Sequence, residues 1–146
     1  LGHLAPAQEL AVIQGHSSGR TVDNLRPVVD VADARDMIAA GARVRVTDAL
    51  ARYAIDLANG TRRHPHVRHG ASTRATLALV RAARARALLH ERNYATANDV
   101  QILALPVLAH RLMLAPQAEL DGVRQEDIVR DVLSRTPTPD TADSRL

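Results

Sequence analysis

The 146-residue chain contains no cysteine, phenylalanine, tryptophan or lysine, and Tyr53 and Tyr94 are its only tyrosines. Without cysteine there is no disulfide framework, no thiolate nucleophile and no cysteine-based zinc site, which fits a reducing compartment. Without lysine the chain cannot form the phosphate-cradling loop G-x-x-x-x-G-K-[ST], whose lysine reaches the β- and γ-phosphates. With so few large aromatics, alanine, leucine and valine have to fill the core, and its elements must approach one another closely. No apolar run approaches the length of a membrane span, and the amino end lacks a basic region followed by an apolar one, so the chain reads as soluble and cytoplasmic.

What is present suits a single domain, large enough to bury roughly two-thirds of the surface of its unfolded form. All 19 basic side chains are arginine, set against 16 acidic ones, so the net charge is only +3 although the pI is about 10.5. A modest arginine excess permits phosphate or nucleic-acid partners without demanding them.

The pattern along the chain predicts mostly helix. Pro6 opens a first helix with Ala7, Leu10 and Ile13 on one face and Gly15 at its end. Residues 16–30, rich in Ser, Gly, Asn, Asp and Pro, read as a long connecting loop. A second helix spans about Val31 to Ala40, with Ala34, Met37 and Ile38 facing inward and Gly41 as its stop. The alternation Arg43-Val44-Arg45-Val46 predicts a short strand. Thr47 caps a third helix that buries Leu50, Tyr53, Ala54 and Leu57 and closes at Asn59-Gly60.

A basic loop from Thr61 to His69 leads to Ser72, the cap of a long helix reaching about Glu91. Thr96 and Asp99 form a capping box ahead of Val100, Leu103 and Ala104, and Pro106 breaks or kinks that helix before Val107 to Arg111. A looser stretch to Gly122 precedes a last amphipathic helix through Ile128, Val129, Val132 and Leu133. Residues 136–146 read as a frayed polar tail. The expected class is all-α, a helical bundle with at most one or two very short strands.

Three motifs need weighing. Gly15-His16-Ser17-Ser18-Gly19 matches the nucleophile elbow G-x-S-x-G, but that motif needs a strand before it and a helix after it, and here a helix precedes and an irregular stretch follows. His64, His66 and His69 are spaced closely enough for metal ligands, yet arginines crowd them and no carboxylate is near in sequence, so a solvated basic loop is the preferred reading and no metal site is expected. On the long helix, Arg74, Arg81, Arg84 and Arg92 fall on one stripe, opposite Ala75, Ala78, Leu79, Ala82, Ala83 and Leu89.

Arg74 stands out within that stripe. It lies in the first turn, where the helix dipole disfavours a cation by roughly 0.3–1 kcal/mol. Its neighbours Gly70, Ala71 and Ser72 are small and leave room for a ligand. A guanidinium fork beside the free N–H groups of a helix start suits a phosphate oxygen, and a phosphate there explains the placement.

A longer pattern extends around Arg74. It comprises Val44-Arg45-Val46, Tyr53 with Leu57 and Thr61-Arg62, His64-Pro65, Gly70-Ala71-Ser72-Thr73-Arg74-Ala75, Arg92-Asn93-Tyr94, Thr96 with Asp99-Val100, and Pro106-Val107-Leu108-Ala109-His110-Arg111-Leu112. In that order the motifs resemble the C-terminal helical lid of a MoxR-family AAA+ ATPase, with the lid expected over residues 1–135. The resemblance implies that Arg74 is the sensor-two arginine reaching the γ-phosphate, with Gly70, Ser72 and Thr73 beside the nucleotide. It implies ATP with Mg2+ as cofactor, the Mg2+ ligands and phosphate-loop lysine lying in a large subdomain outside this chain. It further implies a homo-oligomeric ring, no membrane partner, and ATP-driven remodelling or assembly of partner proteins, including ones with a von Willebrand-type domain. Leu1-Gly2-His3 resembles the hinge after the large subdomain, so the chain is expected to be inert as an enzyme by itself and to serve an ATP-hydrolysing parent.

Two departures are visible. Thr73 stands where the family usually has proline, which pre-sets a helix start; His69 stands where an aliphatic residue is more usual. Arg62 and Arg111 are weaker site candidates, for which structural bonds are at least as good an explanation. The alternative reading is a basic helical nucleic-acid-binding module using the arginine stripe, although it lacks aromatic platforms and a recognition-helix motif; a purely structural interaction domain is a third.

Overall fold

Local signals in the sequence set most of the helix starts. A computed structural model of the chain describes residues 4–17 and 25–139, and in it Thr47, Ser72 and Thr96 are extended, each ahead of a helix. Their side-chain oxygens accept from the backbone N–H groups of Leu50, Ala75 and Asp99. Each cap satisfies a donor that has no partner inside its helix. By its contacts the chain divides into two units, Leu1–Arg35 and Asp36–Leu146.

In the first unit α1 spans Pro6–Ser17, with the Ala5 N–H donating to Gln8 Oε1 at 3.1 Å. It runs on through Gly15, where an end was expected, because a glycine without left-handed backbone only weakens a helix. Of the expected 16–30 loop, His16 and Ser17 complete α1, residues 18–24 lie outside the described residues, and residues 25–30 are irregular. The G-x-S-x-G motif falls mostly on that undescribed stretch. Helix α2, Val31–Arg43, starts in the first unit and has most of its length, from Asp36 on, in the second; it begins with reciprocal bonds between Asp30 and Asp33 of 2.8 and 3.1 Å and continues past Gly41. It buries no residue, and Met37 and Ile38 are 53% and 74% exposed. Helical spacing makes a face apolar; it does not by itself supply a cover for that face.

The second unit holds the buried core. Helix α3, Asp48–Arg63, buries Leu50, Tyr53, Ala54 and Leu57 as expected, but it also passes through Asn59-Gly60. Packing explains the glycine: a Cβ on Gly60 would lie 2.6 Å from Val132 Cγ1, so the missing side chain lets the last helix close in. The predicted basic loop is therefore partly helix and partly strand. Strand β1, Val67–His69, pairs antiparallel with β2, Met113–Leu114, in the register Val67 with Leu114. The Arg43–Val46 alternation yields a single parallel bridge, Arg45 to Tyr94, rather than a strand.

Helix α4, Thr73–Leu89, lays Ala75, Leu79, Ala83 and Ala87 against the core with no exposed surface. Leu89, expected on that face, is 84% exposed at the helix end. Helix α5, Ala97–Leu108, presents Val100, Ala104 and Leu108 to the same core. Small side chains on both helices supply the close approach that a core without phenylalanine or tryptophan requires. Pro106 lies inside α5 and does not break it; the helix ends two residues later, at Leu108, and a 3-10 turn follows at Ala109–Arg111. The stretch expected to be loose contains β2 and a short helix α6, Pro116–Leu120. Helix α7, Gln125–Arg135, buries Ile128, Val129 and Val132. The class is thus all-α, with one two-stranded sheet among the described residues. None of the described helices is long and apolar enough to cross a membrane.

Candidate functional site

The expected site is the start of α4, and the structure builds it from α3. Thr61 follows Leu57 by four residues, so it lies on the buried face of α3 and is fully buried. A hydroxyl in that position has to be hydrogen-bonded. It donates to the Ala58 carbonyl at 2.7 Å and accepts from the Ala71 N–H at 2.9 Å. The next residue, Arg62, donates from Nε to the Ala71 carbonyl at 2.7 Å and from Nη1 to Asn59 Oδ1 at 2.9 Å. Gly70 makes this approach possible, since a Cβ there would lie 2.6 Å from the backbone N and Cα of Arg62.

Ser72 then caps α4, its Oγ accepting from the Ala75 N–H at 3.3 Å, and its carbonyl accepts from the Thr76 N–H at 3.1 Å. The Thr73 and Arg74 N–H groups come at the helix start, where no intrahelical acceptor exists. Arg74 is exposed, and its side chain makes no hydrogen bond or ion pair to the described residues. Gly70, Ser72, Thr73 and Arg74 thus share one clamped turn that offers an exposed cation and open N–H donors. A phosphate group fits this chemistry: the donors are oriented, the cation is uncommitted, and the charge that the helix dipole disfavours is available to an anion.

The other arginines of the stripe are used differently. Arg92 lies beyond α4 and is not part of its face; its two Nη atoms donate to the Asp99 carboxylate at 2.8 and 2.7 Å. Arg86 Nε is 3.3 Å from the same carboxylate, within ion-pair distance though not directed as a hydrogen bond. Thr96 donates to it from both its backbone N and its hydroxyl, each at 2.8 Å. Asp99 itself is completely buried. Burial pushes its carboxyl up, but the Arg92 and Thr96 hydrogen bonds outweigh burial and hold it below the usual carboxylate range. Through the same hydrogen bond Asp99 raises Arg92 above its ordinary value. Arg84 is half-buried with Nε sealed from solvent, which leaves Arg74 and Arg81 as the exposed members of the expected stripe. A nucleic-acid module built on four aligned guanidinium groups is accordingly not favoured.

The histidine loop also differs from expectation. His64 is largely buried, with Nε2 3.2 Å from Asp131 Oδ2 on α7 and Nδ1 accepting from the His66 N–H at 3.2 Å. The carboxylate absent nearby in sequence arrives from 67 residues away. Among the described residues no three His, Cys, Asp or Glu side chains group as a metal ion would require. Among the described residues Arg111 bonds neither a helix end nor a carboxylate; its Nε donates to His110 Nε2 at 3.0 Å.

The AAA lid domain family matches residues 59–132, half of the chain. The chain is 35% identical over 139 residues to YeaC of Bacillus subtilis, covering 95% of this chain and 43% of that protein. It is 28% identical over 148 residues to the chaperone MoxR1 of Mycobacterium tuberculosis, covering 95% and 39%, and 38% identical over 74 residues to MoxR of Methylorubrum extorquens, covering 50% and 22%. A crystal structure of a candidate ATPase from Cytophaga hutchinsonii superposes with a TM-score of 0.77 at 27% identity, over 96% of this chain and 45% of the other. The chain therefore spans less than half the length of these relatives. The matched segment begins in the second half of α3 and ends in α7, enclosing the clamped turn, Arg74 and the Asp99 hub. The chain belongs to the AAA lid domain family, as the helical lid of a MoxR-type AAA+ ATPase.

Proposed function

We propose that residues 1–135 act as the nucleotide-sensing lid of their parent ATPase, with 136–146 as a polar tail, and that Arg74 carries the sensing. The observation behind this reading is an exposed, uncommitted guanidinium on a helix start whose backbone is clamped from a neighbouring helix. MgATP supplies the transferable phosphoryl group and the charge to be neutralised; its Mg2+ ligands, base and phosphate-loop lysine belong to the large subdomain. In this chain Arg74 contributes a positive charge and a donor fork toward the γ-phosphate, while Gly70, Ser72 and Thr73 keep the turn small and its N–H groups open. Because the guanidinium answers to the presence of that phosphate, lid position follows the nucleotide state, and a ring of identical subunits carries the motion onward. The output is chaperone-like remodelling or assembly of partner proteins, von Willebrand-type domain proteins among them.

The test is Arg74→Ala in the parent ATPase. ATP turnover falls at least about tenfold, as expected when a phosphate-directed donor is removed, while the thermal unfolding of the lid is unchanged. Turnover close to that of the unmodified protein would sink the assignment.

A further inference from the structure

The hold that α3 has on the turn before Arg74 is more than the core needs. Leu57, Ala58, Ala75 and Leu79 already pack α3 and α4 with almost no exposed surface. Beyond that packing, two successive peptide groups of one residue, Ala71, are fixed from the same helical turn. The Thr61 hydroxyl holds its N–H at 2.9 Å and Arg62 Nε holds its carbonyl at 2.7 Å. Each of these groups is itself oriented: the Thr61 proton goes to Ala58 O and Arg62 Nη1 to Asn59 Oδ1. One residue later Ser72 caps the helix, and Arg74 emerges two residues after that.

We propose that Thr61 and Arg62 are positioning residues for Arg74: by fixing the N–H and carbonyl of Ala71 they set where α4 begins and in which direction Arg74 leaves it. Apolar packing resists separation of two helices but tolerates small slides and rotations about the contact, whereas two oppositely directed hydrogen bonds on one residue do not. Displacement of a catalytic group by about 1 Å costs on the order of 100-fold in rate. Thr73, unlike a proline at a helix start, leaves its backbone φ unset, so the clamp is left to define where α4 begins. The inference rests on the reading of Arg74 as the phosphate-directed residue.

The experiment compares Thr61→Val, Thr61→Ser and Arg62→Met in the parent ATPase, each with Arg74 present and in the Arg74→Ala background. With Arg74 present, Thr61→Val and Arg62→Met lower kcat by about 10- to 100-fold, and Thr61→Ser, which keeps the hydroxyl, restores turnover. In the Arg74→Ala background neither change lowers turnover further, because residues acting as one unit are not additive. Unchanged kcat in both variants with Arg74 present, or an undiminished loss without it, overturns the proposal. Should Thr61→Val fail to fold, Arg62→Met decides, since Arg62 lies on the exposed side of α3. If Arg74→Ala alone leaves turnover intact, the sensing role itself is what has failed.

Discussion

The two ends of α4 treat their arginines in opposite ways. At the carboxyl end Arg86 and Arg92 converge on the buried Asp99 carboxylate, which also accepts two hydrogen bonds from Thr96. At the amino end the backbone is tied down by Thr61 and Arg62, and the Arg74 side chain is left uncommitted. A guanidinium paired with a buried carboxylate is a structural part and is unavailable to a ligand. One held by its backbone alone remains available. Charge count and helical periodicity place Arg74 and Arg92 on one stripe, and only the position of the carboxylate separates them.

The largest expected effect breaks the carboxyl end. Asp99→Asn leaves Arg92 and Arg86 facing a neutral amide. Both arginines are only partly covered, their side chains 25% and 30% exposed, so the loss is about 2–4 kcal/mol, somewhat below that of a fully buried pair. Urea unfolding measures it. The same residue gives the unmodified chain an acid limb. Because the folded carboxyl is depressed, its contribution is complete above the unfolded aspartate value of about 3.9 and is lost as pH falls through the lower folded value. Stability measured against pH falls there in the parent sequence, and Asp99→Asn removes that part of the decline.

A smaller change sharpens the comparison at the same end. After α4 the Arg92 N–H bonds the Ala87 carbonyl and the Glu91 N–H bonds that of Leu88, a Schellman closure in which Glu91 is left-handed with φ of 56°. Glu91→Gly removes the side-chain clash of that conformation and raises unfolding stability by about 0.5–1 kcal/mol after the entropy of a new glycine is counted. The smallest effect is expected at the amino end. Arg74→Ala shifts stability by no more than about 0.5 kcal/mol, as for an exposed side chain with no partner among the described residues, and thermal unfolding checks it. A large loss there would mean that Arg74 is structural after all.

Much of this contrast was legible in the residues. The caps at Thr47, Ser72 and Thr96 are short-range chemistry, and the spacing of Leu50, Tyr53, Ala54 and Leu57 specified the buried face of α3. The prominence of Arg74 followed from one conflict, a cation where the helix dipole is positive. What escaped was set at long range. Gly60 reads as a stop until Val132 of α7 is brought against it. Strands of three and two residues carry no periodicity, and the His64–Asp131 contact joins residues 67 apart. Thr61 did carry a signal, a hydroxyl at helical spacing on an apolar face, but its partner Ala71 is revealed only by the docking of the 70–72 turn on α3.

The two tyrosines give the lid an optical property. Without tryptophan, the near-ultraviolet signal of the chain comes from Tyr53, enclosed in the core on α3, and Tyr94, whose ring lies 5.9 Å from the Arg92 guanidinium beside the Asp99 hub. One chromophore therefore reports the core and the other the carboxyl end of α4, and replacing either leaves a single-site probe built from native residues.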